Sequence, residues 1–284
     1  MIKLYERGDI VAETLKNGIY VSHEVITKGR NMPTFHYHDF YEIYFLKSGE
    51  RRYVVDNKIY NLKAGDIIII DKSELHITKN TDNCCSYDRY LLYITTHALD
   101  SLGDNSRLFK RYFLNRVITM PDNVLCNVER IFENLYTNYT TDTLFSRQFL
   151  VNGAYELCYL LYSLIENDTS ENNRIILENG MEKVLYHIEH NYKTKISLGD
   201  AADICNMNRT YFSRYFKKIT GIGFSAYVTA LRLKEAVNLL KNTSIPLSEV
   251  AYKSGFESQQ HFCAVFKKET GISAGEYRLK NKII

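Results

Sequence analysis

One sequence pattern occurs twice in the last third of this chain, about fifty residues apart. The recurring positions are Phe212, Phe216, Lys217, Lys218, Thr220, Gly221 and Tyr227 in the first copy and Phe262, Phe266, Lys267, Lys268, Thr270, Gly271 and Tyr277 in the second. A small residue, Ala202 or Ala251, precedes each copy and allows two helices to cross closely. A short helix, a turn and a second helix form the unit that many proteins place in the major groove of DNA. The repeat therefore predicts two helix-turn-helix units in one domain.

Charge is divided unevenly along the chain. The formal net charge is +3 over 284 residues. Residues 174–284 hold 17 basic and 10 acidic side chains, whereas the remainder holds 19 basic and 23 acidic ones. A basic C-terminal part suits a polyanion such as DNA, and the length allows a second domain of another kind.

The sequence argues against a membrane protein, a secreted protein or an enzyme. No apolar run approaches the ~20 residues that span a bilayer. Charges interrupt the N-terminal stretch where a signal peptide would have an apolar core, and the six cysteines are scattered without a CxxC spacing. P-loop, GxGxxG and nucleophile-elbow patterns are absent. We expect a cytoplasmic, non-enzymatic protein without a membrane partner and without a cofactor.

The N-terminal part changes from strand-like to helical patterning. From about residue 20 to residue 94, short β-branched and aromatic runs alternate with turn residues, as in a small antiparallel barrel. Residues 122–139 and 143–165 place apolar side chains at helical spacing. The second of these helices is apolar on more than one face, so either its own domain or a second subunit must cover it. We expect the helices over residues 122–165 to pair two chains in a homodimer, with Leu157 and Leu161 in the interface.

A polar stretch marks the predicted domain boundary. Residues 167–173 contain no apolar anchor, which is typical of a linker. We therefore predict one domain over residues 1–167, which binds an effector and dimerises, and a DNA-binding domain over residues 174–284.

Each predicted reading helix separates an apolar face from a polar, basic face. In the first, Phe212, Phe216 and Ile219 recur at the spacing of one helical face. The side chains predicted to reach DNA are Asn208, Arg209, Thr210, Ser213, Arg214 and Lys217 in the first unit and Ser258, Gln259, Gln260, His261 and Lys267 in the second. A merely solvated face is the alternative for a single helix. The duplication and the basic charge of the domain favour double-stranded DNA.

The repeat region resembles the AraC/XylS family of bacterial transcription regulators over about residues 196–278. The matching positions are Ile196, Leu198, Ala202, Met207, Tyr211, Phe212, Ser213, Arg214, Phe216, Lys217, Gly221, Phe224, Tyr227, Arg232, Ala236, Leu239, Leu240, Val250, Ala251, Gly255, Phe256, Ser258, Phe262, Phe266, Lys267, Gly271, Tyr277 and Arg278. The resemblance implies a promoter-binding activator that contacts RNA polymerase and responds to a small molecule. Aromatic residues of the N-terminal part, such as Phe35, Tyr37 and Tyr41, would suit a sugar, although a barrel core contains the same residue types. Ala264 departs from the pattern, because many members carry a polar or basic residue there.

The N-terminal region contains residues in the spacing of the two cupin motifs. His36, His38 and Glu42 resemble the first motif, and His76 occupies the matching position of the second. These four positions ligate metal in cupin enzymes, and three imidazoles with a carboxylate suit Fe(II), Mn or Zn. Two other interpretations remain open, namely an effector pocket without metal and histidines hydrogen-bonded inside the barrel as structural groups.

We assign these four residues to an effector pocket and no residue to a metal. The predicted fold class is α+β, with an N-terminal antiparallel β-barrel of cupin-like character, dimerisation helices and an all-α C-terminal domain. The predicted function is a sequence-specific transcription regulator. The alternative is a metal-dependent cupin enzyme that its C-terminal domain tethers to DNA.

Overall fold

The computed structural model describes residues 14–28, 31–32, 35–56, 58–72, 74–81, 86–101, 117–167 and 180–281. Its described strands are β1 (Ile19–Ile26), β2 (Phe40–Val55), β3 (Lys58–Lys63), β4 (Asp66–Ile70), β5 (His76–Asn80), β6 (Tyr87–Thr95) and β7 (Val117–Thr119). The described helices of the N-terminal part are α1 (Thr96–Asp100), α2 (Asp122–Thr141) and α3 (Leu144–Asn167). Beyond its first residue, the predicted linker 167–173 lies outside the described residues.

The long strand β2 connects two antiparallel sheets. Residues 40–49 of β2 pair with β6, and part of that half also pairs with β4, whereas residues 50–55 pair with β3 and β5. A register shift near Ser48 and the positive φ of Gly49 (89°) bend the strand between its halves. The order β1-β6-β2-β4-β7 has β1 and β7 at its ends, and β3 and β5 each pair only with β2 among the described strands. The predicted antiparallel barrel is therefore an open one.

Helices α2 and α3 cover the outer face of this sheet. Leu157 and Leu161 of α3 are 0 % and 1 % exposed, and they pack with sheet residues such as Ile43 and Ile69. The prediction that Leu157 and Leu161 pair two chains is therefore wrong. A helix with several apolar faces needs a cover, and here the sheet of the same chain provides it.

The C-terminal part consists of helices joined by short turns. They are α4 (Met181–Asn191), α5 (Leu198–Ile204), α6 (Arg209–Thr220), α7 (Phe224–Asn242), α8 (Leu247–Lys253), α9 (Gln259–Thr270) and α10 (Ala274–Asn281). Helices α5 and α6 form the first helix-turn-helix unit, helices α8 and α9 form the second, and α7 lies between them. The two predicted units are confirmed, because the aromatic positions that repeat in the sequence are the ones that fill the core.

The core of the helical part continues into the sheet part. Phe35 and Leu75 belong to the same apolar cluster as the residues of the two units. The ring of Phe35 meets the ring of Tyr227 edge-on at 5.3 Å between centroids, and the Tyr227 hydroxyl donates to the Asp56 carbonyl. Lys234 forms an ion pair with the Asp56 carboxylate at 2.9 Å. Within the described residues, no helix has both the length and the apolar character needed to cross a bilayer.

Candidate DNA-reading face and effector pocket

Local capping fixes the start and end of the first reading helix, α6. Asn206 has a φ of 52° at the turn, a conformation that asparagine tolerates better than most residues. The Asn208 side chain accepts a hydrogen bond from the Tyr211 amide at 2.8 Å, so it is the N-cap. Gly221 ends the helix with a φ of 80°. The side chains of α6 are thus held at a fixed rotation relative to α5.

The exposed face of α6 carries most of the predicted contacts of the first unit. Thr210, Arg214 and Lys217 are exposed, whereas Ser213 is half-buried. The guanidinium of Arg209 lies against Gly199, so it packs on α5 of the same unit. Arg209 is also exposed, but its guanidinium is held against α5, whereas Arg214 points from the exposed face and can donate two hydrogen bonds to a guanine edge.

The second reading helix, α9, is built in the same way. The Ser258 hydroxyl accepts a hydrogen bond from the His261 amide at 3.2 Å and caps the helix. Gln259, Gln260, His261 and Lys267 are all exposed. The predicted contacts of this helix are amides, an imidazole and the Lys267 ammonium group, and α9 contains no arginine.

The four cupin-motif residues come together inside the sheet domain. The ligand atoms of His36, His38, Glu42 and His76 all lie within 4.8 Å of one another, and all four residues are buried. The Oε2 atom of Glu42 is 3.0 Å from Nε2 of His38 and 3.4 Å from Nε2 of His76. His36 and His76 also form a backbone bridge between their two segments.

Electrostatics keeps the carboxyl group of this cluster ionised. Burial acts to raise the pKa of Glu42, but the charge of His76 and hydrogen bonds from His38 and His76 outweigh it and hold the pKa well below its usual value. Burial lowers the pKa of His38, although its hydrogen bond with Glu42 opposes that shift. A carboxylate among imidazoles can accept hydrogen bonds from a hydroxylated ligand or bind a cation.

The donor set also fits a divalent transition metal. Nδ1 of His38 lies 2.8 Å from the Phe40 carbonyl, and Nδ1 of His76 lies 2.9 Å from the Glu74 carbonyl. Both Nε2 atoms lie near Glu42. An imidazole that donates through Nδ1 and carries no proton on Nε2 can offer that nitrogen to a metal ion, which would replace the hydrogen bonds to Glu42. Metal-binding histidines are commonly oriented by such backbone acceptors.

Glu42 lines a cavity of about 160 Å³, whereas the other predicted pocket residues, His36, His38 and His76, do not line it. Residues that the sequence prediction missed line it, including Arg51, Arg89, Tyr53, Tyr87 and Tyr93. The Tyr53 hydroxyl lies 3.3 Å from Oε1 of Glu42, so this carboxylate borders both the histidine cluster and the cavity. Alternation along β2 was the available signal, because residues 42 and 44 share one face before Gly49 and residues 51 and 53 share one face after it. The bend near Gly49 brings these two faces to the same cavity.

Comparisons with known proteins agree with this division. Residues 20–152 match the AraC-like ligand binding domain, and residues 201–280 match a helix-turn-helix domain. The HTH-type transcriptional regulator YdiP of Escherichia coli (strain K12) is 25% identical over 257 residues, which cover 85% of this chain and 79% of the relative. The HTH-type transcriptional activator RhaS of Enterobacter sp. (strain 638) is 25% identical over 251 residues, which cover 86% of each chain.

Two solved structures are among those similar to this chain. ToxT from Vibrio cholerae O395 aligns with a TM-score of 0.36 and 17% identity over 95% of this chain and 100% of its own. The C-terminal domain of AraT, a response regulator from Geobacillus stearothermophilus, aligns with a TM-score of 0.36 and 29% identity over 38% of this chain and 90% of its own. The two family matches together cover most of the sheet domain and of both units. This chain belongs to the AraC/XylS family of transcription regulators, with a ligand-binding domain followed by a helix-turn-helix DNA-binding domain.

Proposed function

We propose that this protein is a cytoplasmic, one-component transcription activator that binds promoter DNA, contacts RNA polymerase and responds to a small molecule held in the sheet domain. The exposed polar faces of α6 and α9 on one shared core carry the DNA-binding part. Activation is supported by the RhaS relatives, which are named activators. A sugar is one class of effector that aromatic rings and hydrogen-bonding groups around Glu42 would suit.

DNA binding is tested with the full chain and an operator selected from a random duplex library. Affinity should fall steeply with salt, because phosphate contacts release counterions. Lys267→Ala should weaken binding evenly across sequences and reduce the salt slope by about one. Lys195→Ala, at an exposed lysine outside both reading helices, is the charge-matched control. A mobility-shift titration without salt-sensitive binding would refute the DNA-binding function.

We propose that the effector signal reaches the helical domain through two segments whose successive side chains point alternately to the histidine cluster and to the shared apolar core. His36 and His38 face the cluster around Glu42, whereas their neighbours Phe35 and Tyr37 pack in the core shared with the DNA-binding helices. The second segment alternates likewise, with His76 between Leu75 and Ile77. An effector that shifts the histidines would therefore also shift the apolar side chains under α7.

His76→Ala tests this route. The variant should blunt induction of a reporter that carries the selected operator and leave operator affinity in the absence of effector unchanged. A lower melting temperature together with unchanged induction would instead assign His76 a structural role.

The proposed homodimer uses the exposed face of α3. Leu144, Phe145 and Phe149 are 85%, 80% and 61% exposed, and such a cluster of large apolar side chains marks an interaction surface. Replacing Phe145 and Phe149 with Glu should shift the protein to monomer in sedimentation velocity. A dimer that persists in this double variant would exclude α3 as the interface.

A second candidate function has the histidine geometry in its favour. The cluster of His36, His38, Glu42 and His76 has the donor set and the carbonyl-fixed rings of a metal site. These four residues would hold the ion, which would supply Lewis acidity to a metal-dependent enzyme. Stoichiometric, tightly held iron or manganese in the purified protein would favour this candidate, and its absence from protein purified without chelator would count against it.

A further inference from the structure

The cavity beside Glu42 contains a buried guanidinium that forms no ion pair with any described residue. Arg51 is 1 % exposed. Its Nε donates to the Thr78 hydroxyl at 3.3 Å, its Nη1 donates to the Asn80 side-chain oxygen, and its guanidinium lies 4.2 Å from the centroid of the Tyr87 ring. All three partners are uncharged, and no carboxylate of the described residues forms an ion pair with Arg51. A guanidinium keeps its charge in a protein interior, where an uncompensated charge is costly.

The other arginine of the cavity differs in this respect. Arg89 forms an ion pair with Glu24 at 2.8 Å and donates to the Ser22 hydroxyl at 3.0 Å. The protein thus supplies the counter-charge for Arg89 and leaves Arg51 with neutral partners. An anionic group of a ligand would complete the site at Arg51 through two charge-assisted hydrogen bonds.

A second polar group in the cavity also lacks a partner. The Tyr44 side chain lines the cavity, is 3 % exposed, and its hydroxyl forms no hydrogen bond within the described part of the chain. The carboxylate of Glu42 borders the same space and can accept a hydrogen bond from a ligand hydroxyl. The volume of about 160 Å³ lies below the ~300–1,000 Å³ of pockets for drug-sized ligands, so the occupant is small.

We propose that the effector is a small hydroxylated carboxylate, such as an acidic monosaccharide or a hydroxy acid. Its carboxylate pairs with Arg51, and its hydroxyl groups bind Tyr44 and Glu42. This inference rests on the proposed effector function of the sheet domain and names the chemical class of that effector.

The test compares matched acids and neutral compounds on the wild-type full chain. D-Galacturonate is titrated against D-galactose, and lactate against 1,2-propanediol, by calorimetry at constant ionic strength. At least one acid should bind tenfold or more tightly than its neutral partner. Binding of a neutral compound as tightly as its acid in both pairs, or no acid binding at all, would overturn the proposal.

Two variants assign the preference to one side chain. Arg51→Gln should abolish the preference for the acid. Arg52→Gln should retain it, because Arg52 is the next residue of β2 and donates to Asn61 on the opposite face. Retention of the preference in Arg51→Gln would overturn the proposal, and circular dichroism checks that this variant is folded. Operator binding is measured on the same preparations. A wrong effector class leaves DNA binding intact, whereas failure of the proposed regulatory function removes it.

Discussion

The two helix-turn-helix units share the same hydrogen bonds at the end of the reading helix. In each, a threonine hydroxyl near the end of the reading helix lies 2.8 Å from the carbonyl four residues earlier and 2.9 Å from a carbonyl two residues later, and its single O–H is shared between these two acceptors. These threonines are Thr220 and Thr270. A glycine with positive φ follows each, at Gly221 and Gly271. The scaffold is therefore specified locally by the same residues in both copies.

The surfaces of the two units differ. Arg214 of α6 corresponds to Ala264 of α9, so the units present different groups to a base pair. The surroundings of the two C-cap glycines differ as well. The Lys79 side chain of the sheet domain lies against Gly221, whereas the space beside Gly271 is open, since no described atom would lie within 4 Å of a Cβ placed there. A duplicated scaffold can thus support two tasks. We infer that the first unit reads most of the sequence and contacts the sensor, while the second adds affinity.

The largest expected effect tests the shared scaffold. Phe216 and Phe266 are both 0 % exposed and occupy equivalent core positions. Replacing either with alanine should lower the free energy of unfolding by about 3–5 kcal/mol, since each leaves a cavity. Urea unfolding of the full chain, followed by circular dichroism, measures both losses. Clearly unequal costs would show that the two cores do not contribute equally to stability.

The next effect tests the division of base reading. Arg214→Ala should cost about 1–3 kcal/mol of operator affinity and relax one base position, because it removes a bidentate donor. Gln260→Ala should relax the preference less and mainly at an A·T pair. Competition mobility shifts with single-base operator variants compare the two. A larger relaxation in Gln260→Ala would mean that the second helix is the dominant reader.

The sequence predicted the helical units well because their signals are local. The caps Asn208 and Ser258, the turn residues Asn206 and Gly255, and the spacing of the phenylalanines all act within a few residues of one another. The cluster around Glu42 was also predictable as a group, because alternation and motif spacing place its members on the inner face.

Long-range features were not predictable from the same patterns. An apolar helix is compatible with a partner subunit or with its own sheet, and Leu157 shows that the sheet covers it here. The contact of Phe35 with Tyr227 depends on how two domains dock. Arg51 lines the cavity because β2 bends at Gly49, and hydrophobic periodicity does not report such a bend.

A smaller effect tests whether the two cap residues have the same role. Asn208→Ala and Ser258→Ala should each lower the free energy of unfolding by about 1 kcal/mol, because each leaves a helix N-terminal amide without its acceptor. The exchanges Asn208→Ser and Ser258→Asn keep a cap and are the matched controls for thermal unfolding. Operator affinity that falls in an exchange variant with unchanged stability would show a direct DNA contact by that side chain.

The smallest effect concerns Ala264, the counterpart of Arg214 on the second reading helix. Its side chain is exposed and apolar, so on DNA it can touch at most a thymine methyl group. Ala264→Ser adds a hydroxyl at an exposed helical position and should change stability and operator affinity by less than about 0.5 kcal/mol. Affinity for the same single-base operator variants is the measurement, with Arg214→Ala as the reference. If Ala264→Ser altered base preference as much as Arg214→Ala does, position 264 would lie closer to the bases than its small side chain implies, and the second unit would share the reading of sequence equally.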